Sequence, residues 1–466
     1  MGMIKSRWAS RSSKSLMGPN KIHCGFDSHS SPLLLLLYSK LYIVIIIVDG
    51  IWLMDINNDT ELSGDIQLKE TNDVTDRLIV LTKSVMNVNR TVLGTDAEIL
   101  RIYGELFVDS ERAYDFLYEE MSRFDFVPLL RSDNGIHLVI IIKKPSNPKL
   151  GNPLINITLF AITMLTCLYA GSMHSSEPIE IVNQLEYYDF STSILTIFRI
   201  LWSGWPFAIS LLGILFAHEM GHYLAAKKHG ATVTLPYFIP MPGGFLGTMG
   251  AVIQMKAPVR NKKILHDIGV SGPLAGLAVA LPVVILGLYL SEVGELPFNN
   301  FQIEGNSILY LISKVLVFGE MLPRPYSYGD INPLWYWIGY FFTGNPSPAG
   351  GIDVYIHPVA LAGWAGLLVT GLNLIPVGQL DGGHVLYVLF GSNAKKWRPV
   401  VMFFLIALGF VWTGWWWWAV LLYVFGTKHP ELLDEVTELD DNRKVISYIM
   451  LMLFFLVIVP VPFRVY

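Results

Sequence analysis

The sequence predicts a polytopic α-helical membrane protein of about six to eight transmembrane helices, with a small α+β soluble domain at its amino-terminal side. Three observations predict it. The 466 residues are 52% hydrophobic and only 15% charged, against about 25% charged in a soluble domain. The deficit is concentrated in apolar runs long enough to cross a bilayer. Basic clusters and acidic loops alternate between those runs, as the positive-inside rule requires of a chain that crosses repeatedly. The net charge of -5 gives no reason to expect nucleic acid as a partner. Cys24 and Cys167 are the only cysteines, too few for a disulfide framework or a CxxC site, so a bound metal must be held by His, Asp or Glu.

The elements divide into three stretches: a leader over 1–54, a soluble domain over 55–149 and a membrane domain over 150–466. In the leader, Pro32 to Met54 is apolar but carries Lys40 and Asp49. It reads as a signal anchor, a transmembrane helix or a cleaved segment, or as sequence upstream of a native start at Met54, with the last of these or a non-spanning leader favoured by the charge pattern below. In the soluble domain, LRIYGELFV (100–108) is strand-like. Asp109 and Ser110 offer caps to a helix ending near Phe124, with Ala113, Phe116, Leu117 and Met121 at helical spacing. FVPLL (126–130) and IHLVIII (136–142) read as a hairpin around SDNG. The expected spans are Pro153 to Met173, Ser191 to Ala226, Ile268 to Leu290, Pro358 to Ile375, Pro399 to Gly426 and Val445 to Val461, with a short hairpin between Ser307 and Phe342. Pro399 to Gly426 also fits a tight helical hairpin turning at Thr413 and Gly414.

Lys143, Lys144 and Lys149 precede the first span. Lys227, Lys228, Lys256, Arg260, Lys262 and Lys263 separate the second from the third, and Lys395, Lys396 and Arg398 follow the fourth. Loops on the other side, around 177–186 and 292–304, are acidic. The soluble domain and the basic loops are therefore expected in the cytoplasm of a cell-membrane protein. A spanning leader would push the soluble domain to the other side, against Lys143 and Lys144, which disfavours it.

FAHEMGHYLAA (216–226) lies in one of the most apolar stretches. Ionisable residues at membrane depth are costly, and mark function unless partnered. His218 and His222 are four apart and share a helix face, with Glu219 beside them. This is H-E-x-x-H, two zinc ligands and a general base. The ordinary alternative, hydrogen-bonded histidines in a helix, would need partners for three polar groups on one apolar helix. Catalytic zinc needs a third protein ligand and an open fourth position. NLIPVGQLDGGH (373–384) offers Asp381, just past the fourth span and at the same membrane side as HEMGH. Taken alone, DGG reads as a turn.

HEMGH together with NLIPVGQLDGG closely resembles the site-2 protease family of intramembrane zinc metalloproteases. The likeness extends to PYFIPMPGGFLGTMGAVIQM (236–255), SGPLAG (271–276) and HPVALAGWAGLLVTGLNLIPVGQLDGGH (357–384). It covers roughly Leu150 to Lys428. YGELF (103–107) is similar to the archaeal and plastid branch, which lacks a PDZ-like insert. The resemblance implies one Zn2+ per chain, held by His218, His222 and Asp381, with Glu219 as base. It implies a role for Asn373 in holding substrate or oxyanion. It also implies regulated proteolysis of single-span membrane proteins within the lipid bilayer, with an upstream protease as a candidate partner.

A substrate helix hides its amides and must unwind before it is cut. The prolines and glycines of 236–250 argue against a helix there. FLGTMG, that is Phe245, Leu246, Gly247, Thr248, Met249 and Gly250, is the candidate edge strand for an unwound substrate. The blander reading is an interfacial loop anchored by Tyr237 and Phe238. His384 is a candidate ligand or outer partner; His266, His357 and His429 read as interface residues, and Trp415 to Trp418 as an aromatic belt. The rival functions are a catalytically inactive or a metal-transporting membrane protein using the same site. A transporter would string its ligands along a path, and an inactive scaffold would be expected to lack Glu219.

Overall fold

The computed structural model describes residues 70–94, 98–133, 135–145, 151–175, 190–425 and 432–466, all within one compact unit, Asp65–Tyr466. The leader and His429 lie outside the described residues.

The described chain begins with α1 (Glu70–Lys83), β1 (Met86–Leu93), β2 (Glu98–Leu106), α2 (Ser110–Ser122), β3 (Phe126–Asp133) and β4 (Ile136–Lys143). Asp109 caps α2 through Oδ1, which accepts from the Glu111 amide at 3.0 Å, one of the donors the first turn leaves free. Apolar residues of α1 and α2, including Leu78, Ala113, Leu117 and Met121, bury against Ile102, Leu130, Val139 and Ile141 of the sheet.

That sheet does not close on itself. Its order is β1-β2-β4-β3-β11-β7, where β7 (Val259–Asn261) and β11 (Leu432–Asp434) come from the later part of the chain and β11 pairs in parallel with both β3 and β7. β7 runs directly into α6 (Lys262–Tyr289), whose first turn is capped by Asn261 Oδ1 on the Ile264 amide at 3.1 Å. Glu111 reaches Lys263 at 2.6 Å and Asp115 reaches Arg260 at 2.7 Å. This amino-terminal α+β part is thus joined to the helices that follow by backbone pairing as well as by ion pairs.

Among the described residues three helices are long and apolar enough to cross a membrane: α3 (Pro153–Met173), α5 (Trp205–Lys228) and α6. The remaining apolar runs divide into shorter helices. The expected span over 191–226 is two helices, α4 (Phe190–Ser203) and α5. Pro206 lacks an amide donor and crowds the preceding turn. A Cβ on Gly204 would lie 2.0 Å from the Leu168 carbonyl of α3, so the break also permits close helix contact. The expected hairpin in the middle region is α7 (Ile308–Phe318) and α8 (Pro333–Thr343). The run over 399–426 is a helical pair, α11 (Arg398–Gly409) and α12 (Gly414–Phe425). α9 (Pro358–Asn373), α10 (Asp381–Phe390) and α13 (Asp441–Val457) complete the helices. Trp415, expected in an interfacial belt, is fully buried and donates to the Pro460 carbonyl at 2.7 Å, whereas Trp416 and Trp417 are exposed.

α5, α6 and α9 form the bundle that carries the site. Without a hydrophobic driving force inside lipid, helices associate through close packing of small residues. Gly363 and Gly366 of α9 sit against Val284 of α6 and Ile214 of α5, and Gly287 of α6 sits against the Ala360 backbone.

A hairpin of β5 (Tyr237–Pro240) and β6 (Thr248–Val252) lies along α3. Its base is held by Asn156, whose side chain donates to the Leu235 and Pro236 carbonyls at 2.9 and 3.0 Å. Thr166 donates to the Gly247 carbonyl at 2.6 Å, and His174 Nε2 lies 3.0 Å from the Phe245 carbonyl. From Asn156 to His174 a helix rises about 27 Å, so the hairpin runs beside most of the length of α3. Its tip is fixed by Phe245, whose ring centroid is 4.4 Å from His174 and 4.5 Å from Phe463. β8 (Glu292–Glu295) pairs with β10 (Ile352–Tyr355), and Phe463 belongs to β12 (Phe463–Val465), which pairs with β9 (Gln302–Glu304). Glu304 in turn accepts from the buried Lys314 at 3.2 Å and from Tyr310 at 3.0 Å.

Candidate metal centre

α5 brings HEMGH to the end of the bundle where α6 begins. His218, Glu219 and His222 are all buried. His222 Nδ1 lies 2.7 Å from the Ile268 carbonyl of α6. A carbonyl only accepts, so Nδ1 carries the proton and the Nε2 lone pair faces the site. α9 ends at Asn373, the chain turns through Gly378 at φ 63°, and α10 starts on Asp381. The two glycines after it permit that start: a Cβ on Gly382 would lie 1.9 Å from the Leu374 carbonyl, and one on Gly383 2.5 Å from the Gly378 carbonyl.

Three ligand atoms converge. Asp381 Oδ2 is 3.2 Å from His218 Nε2, and Asp381 Oδ1 is 3.3 Å from His222 Nε2. The two Nε2 atoms are 3.2 Å apart. Ligands at zinc distances of about 2.0–2.1 Å in tetrahedral array lie about 3.3 Å from one another, so this donor set fits zinc in type and in spacing. It is the one His/Cys/Asp/Glu group of this kind among the described residues. Asn373 Nδ2 stands 3.3 Å from His218 Nε2.

The rings rest against glycines of α6. A Cβ on Gly272 would lie 2.1 Å from His222 Nε2, and one on Gly276 would lie 3.1 Å from His218 Nδ1. SGPLAG is therefore the wall behind the ligands as well as a helix contact.

A cavity of about 180 Å³ opens on the group, lined by Glu219, Asn373, Asp381 and His384 with Ala251, Val252 and Ile253 of the hairpin. The Ile253 amide faces the Glu219 carboxylate. The strand that reaches the cavity is thus the end of β6 and the residue after it. None of Phe245, Leu246, Gly247, Thr248, Met249 or Gly250 lines the cavity. Phe245 and Leu246 pack at the hairpin tip, Gly247 bonds α3, Thr248 ties the two strands through the Ile239 carbonyl at 2.9 Å, and Met249 and Gly250 lie farther up β6. Within the stretch 245–250 only Thr248 to Gly250 are in the strand, which runs on to Val252 at the cavity. His266, expected at an interface, is buried and contacts Asp267 at 3.1 Å; His357 caps α9, with Nδ1 accepting from the Val359 amide at 3.2 Å.

Residues 206–411 match the model of peptidase family M50. The chain is 31% identical over 280 residues to a protein of Oryza sativa subsp. japonica named "Probable zinc metalloprotease EGY1, chloroplastic", covering 58% of this chain and 43% of that one. It is 31% identical over 265 residues to the Arabidopsis thaliana protein of the same name, covering 55% and 43%. It is 27% identical over 267 residues to the Arabidopsis thaliana "Probable zinc metalloprotease EGY2, chloroplastic", covering 57% and 43%. The chain therefore spans less than half the length of these relatives. No solved structure matches it.

Proposed function

We propose, from the premise that the chain belongs to peptidase family M50, the site-2 proteases, that it is a zinc metalloprotease cutting peptide bonds within membrane-spanning helices. The observation that carries this reading is the trio His218, His222 and Asp381 at mutual distances of 3.2–3.3 Å, set beside a glutamate on an apolar helix. Zinc held there supplies a Lewis acid and lowers the pKa of water from 15.7 to about 7. Glu219 takes the proton of the attacking water and returns it to the leaving nitrogen. Asn373, with its amide at the ligand cluster, donates to the developing oxyanion.

Among the described residues β6 pairs with β5 along one edge, and its other edge would offer backbone groups to an unwound substrate. Ala251 to Ile253 would then align the substrate over Glu219. Proline at Gly247 should reduce cleavage by at least about 100-fold, the cost of a 1 Å misplacement, and leave zinc bound. Gly247 has φ 73° and its amide bonds the Gly244 carbonyl, neither of which proline allows. Unchanged cleavage would remove the hairpin from the mechanism.

The substrate class is a single-span membrane protein, with an upstream protease as a candidate partner. The three long helices and the shorter apolar ones together would make six to eight crossings. The site would open on the side of the basic clusters, which is the cytoplasmic side in a cell membrane. Metal analysis tests the reading: one zinc per chain in wild type and none in Asp381→Ala. Full zinc in Asp381→Ala would mean a different third ligand, and with it a different enzyme class.

A further inference from the structure

We propose that Asp267 is a positioning residue for the metal centre, holding His222 in its ligating orientation by locking α5 against α6 through His229. The inference rests on the zinc-protease reading above.

His222 is oriented by its Nδ1 bond to the Ile268 carbonyl at 2.7 Å. That carbonyl is shared, because the Ser271 hydroxyl donates to it as well, also at 2.7 Å. A shared acceptor constrains a ring weakly unless the two helices are held in register by something else. Asp267, the residue before Ile268, supplies that second tie. Its Oδ2 is 3.0 Å from Nε2 of His229, at the end of α5. His229 lies seven residues after His222, two turns on and on the same face. α5 thus grips two consecutive residues of α6, by backbone at Ile268 and by side chain at Asp267. Sliding or rotating either helix breaks both contacts together.

Asp267 is itself fixed. Arg443, at the start of α13, grips it with both arms, Nε to Oδ1 at 2.7 Å and Nη2 to Oδ2 at 2.6 Å, a bidentate charge-assisted pair. Arg443 is steadied by a further pair with Asp440. His266 Nδ1 stands 3.1 Å from Oδ1. The arm toward α5 is His229; the arm toward α13 is Arg443. The two roles can therefore be separated by mutation.

The experiment is zinc affinity of the purified full chain, read by competition with a chromogenic chelator, alongside the thermal midpoint of each zinc-free protein. Asp267→Asn and His229→Leu should each weaken zinc by about tenfold, as outer-shell losses do, with midpoints close to wild type. His229→Gln, which restores a donor toward Asp267, should recover most of the affinity. Arg443→Gln should cost less than about threefold in affinity, because the α5 tie survives. Wild-type zinc affinity in both Asp267→Asn and His229→Leu, with Asp381→Ala devoid of zinc, would overturn this inference alone. A wild type that holds no zinc, or an Asp381→Ala that keeps it, would overturn the zinc reading and this inference with it.

Discussion

Gly272→Ala should strip the centre of zinc while the chain stays folded, with affinity falling by more than about 100-fold, beyond the usual cost of an outer-shell loss. The added Cβ would lie 2.1 Å from His222 Nε2 and 2.4 Å from both Cδ2 and Cε1. No flexible tail is there to swing away: the obstacle is the face of a ring held at Nδ1 by Ile268. The ring must turn, which breaks that bond and aims the lone pair away from Asp381. Gly276→Ala places its Cβ 3.1 Å from His218 Nδ1, a contact a few tenths of an ångström of movement relieves, so its cost should be smaller, about tenfold. Gly213→Ala on α5 meets nothing within 4 Å and should bind zinc as wild type does. The order Gly272, Gly276, Gly213 in chelator competition checks the account; equal affinities in all three would show that the α6 wall does not set the ligands.

Glu219→Gln should lower cleavage by about 10²–10⁴-fold, the range of general acid–base catalysis, with zinc content unchanged. Glu219 is not among the converging ligands, and glutamine keeps its shape while removing the base. Glu219→Asp keeps a carboxylate but draws it back by one methylene, and a misplacement of about 1 Å also costs about 100-fold. Single-turnover rates on zinc-matched protein separate these effects from metal loss. Glu219→Gln cutting at the wild-type rate would assign the base elsewhere.

Much of the centre was legible because its signals are local. A four-residue spacing on a helix puts His218 and His222 on one face wherever that helix sits, and DGG is needed where a carboxylate must follow a tight turn. Asn373 and Asp381 enter through one continuous motif. The parts that sequence did not reveal depend on distance along the fold. β7 and β11 are three residues each, too short for a period-2 pattern, yet they extend a sheet whose strand pattern in sequence ends at Lys143. The glycines of 243–250 announce a hairpin, but hairpin length and its seat along α3 decide that Ala251 to Ile253 meet the cavity. The division of 191–226 was written in Pro206, masked by apolar sequence on both sides. Asp267 carries no motif; its meaning lies in partners from α5 and α13.

The most direct measurement is cleavage of a single-span reporter by the purified chain in lipid vesicles, with the cut position read by mass spectrometry. The account predicts a cut inside the apolar span, stopped by a zinc chelator, restored by added zinc, and absent with Asp381→Ala. A cut that survives both chelation and loss of Asp381 would contradict it.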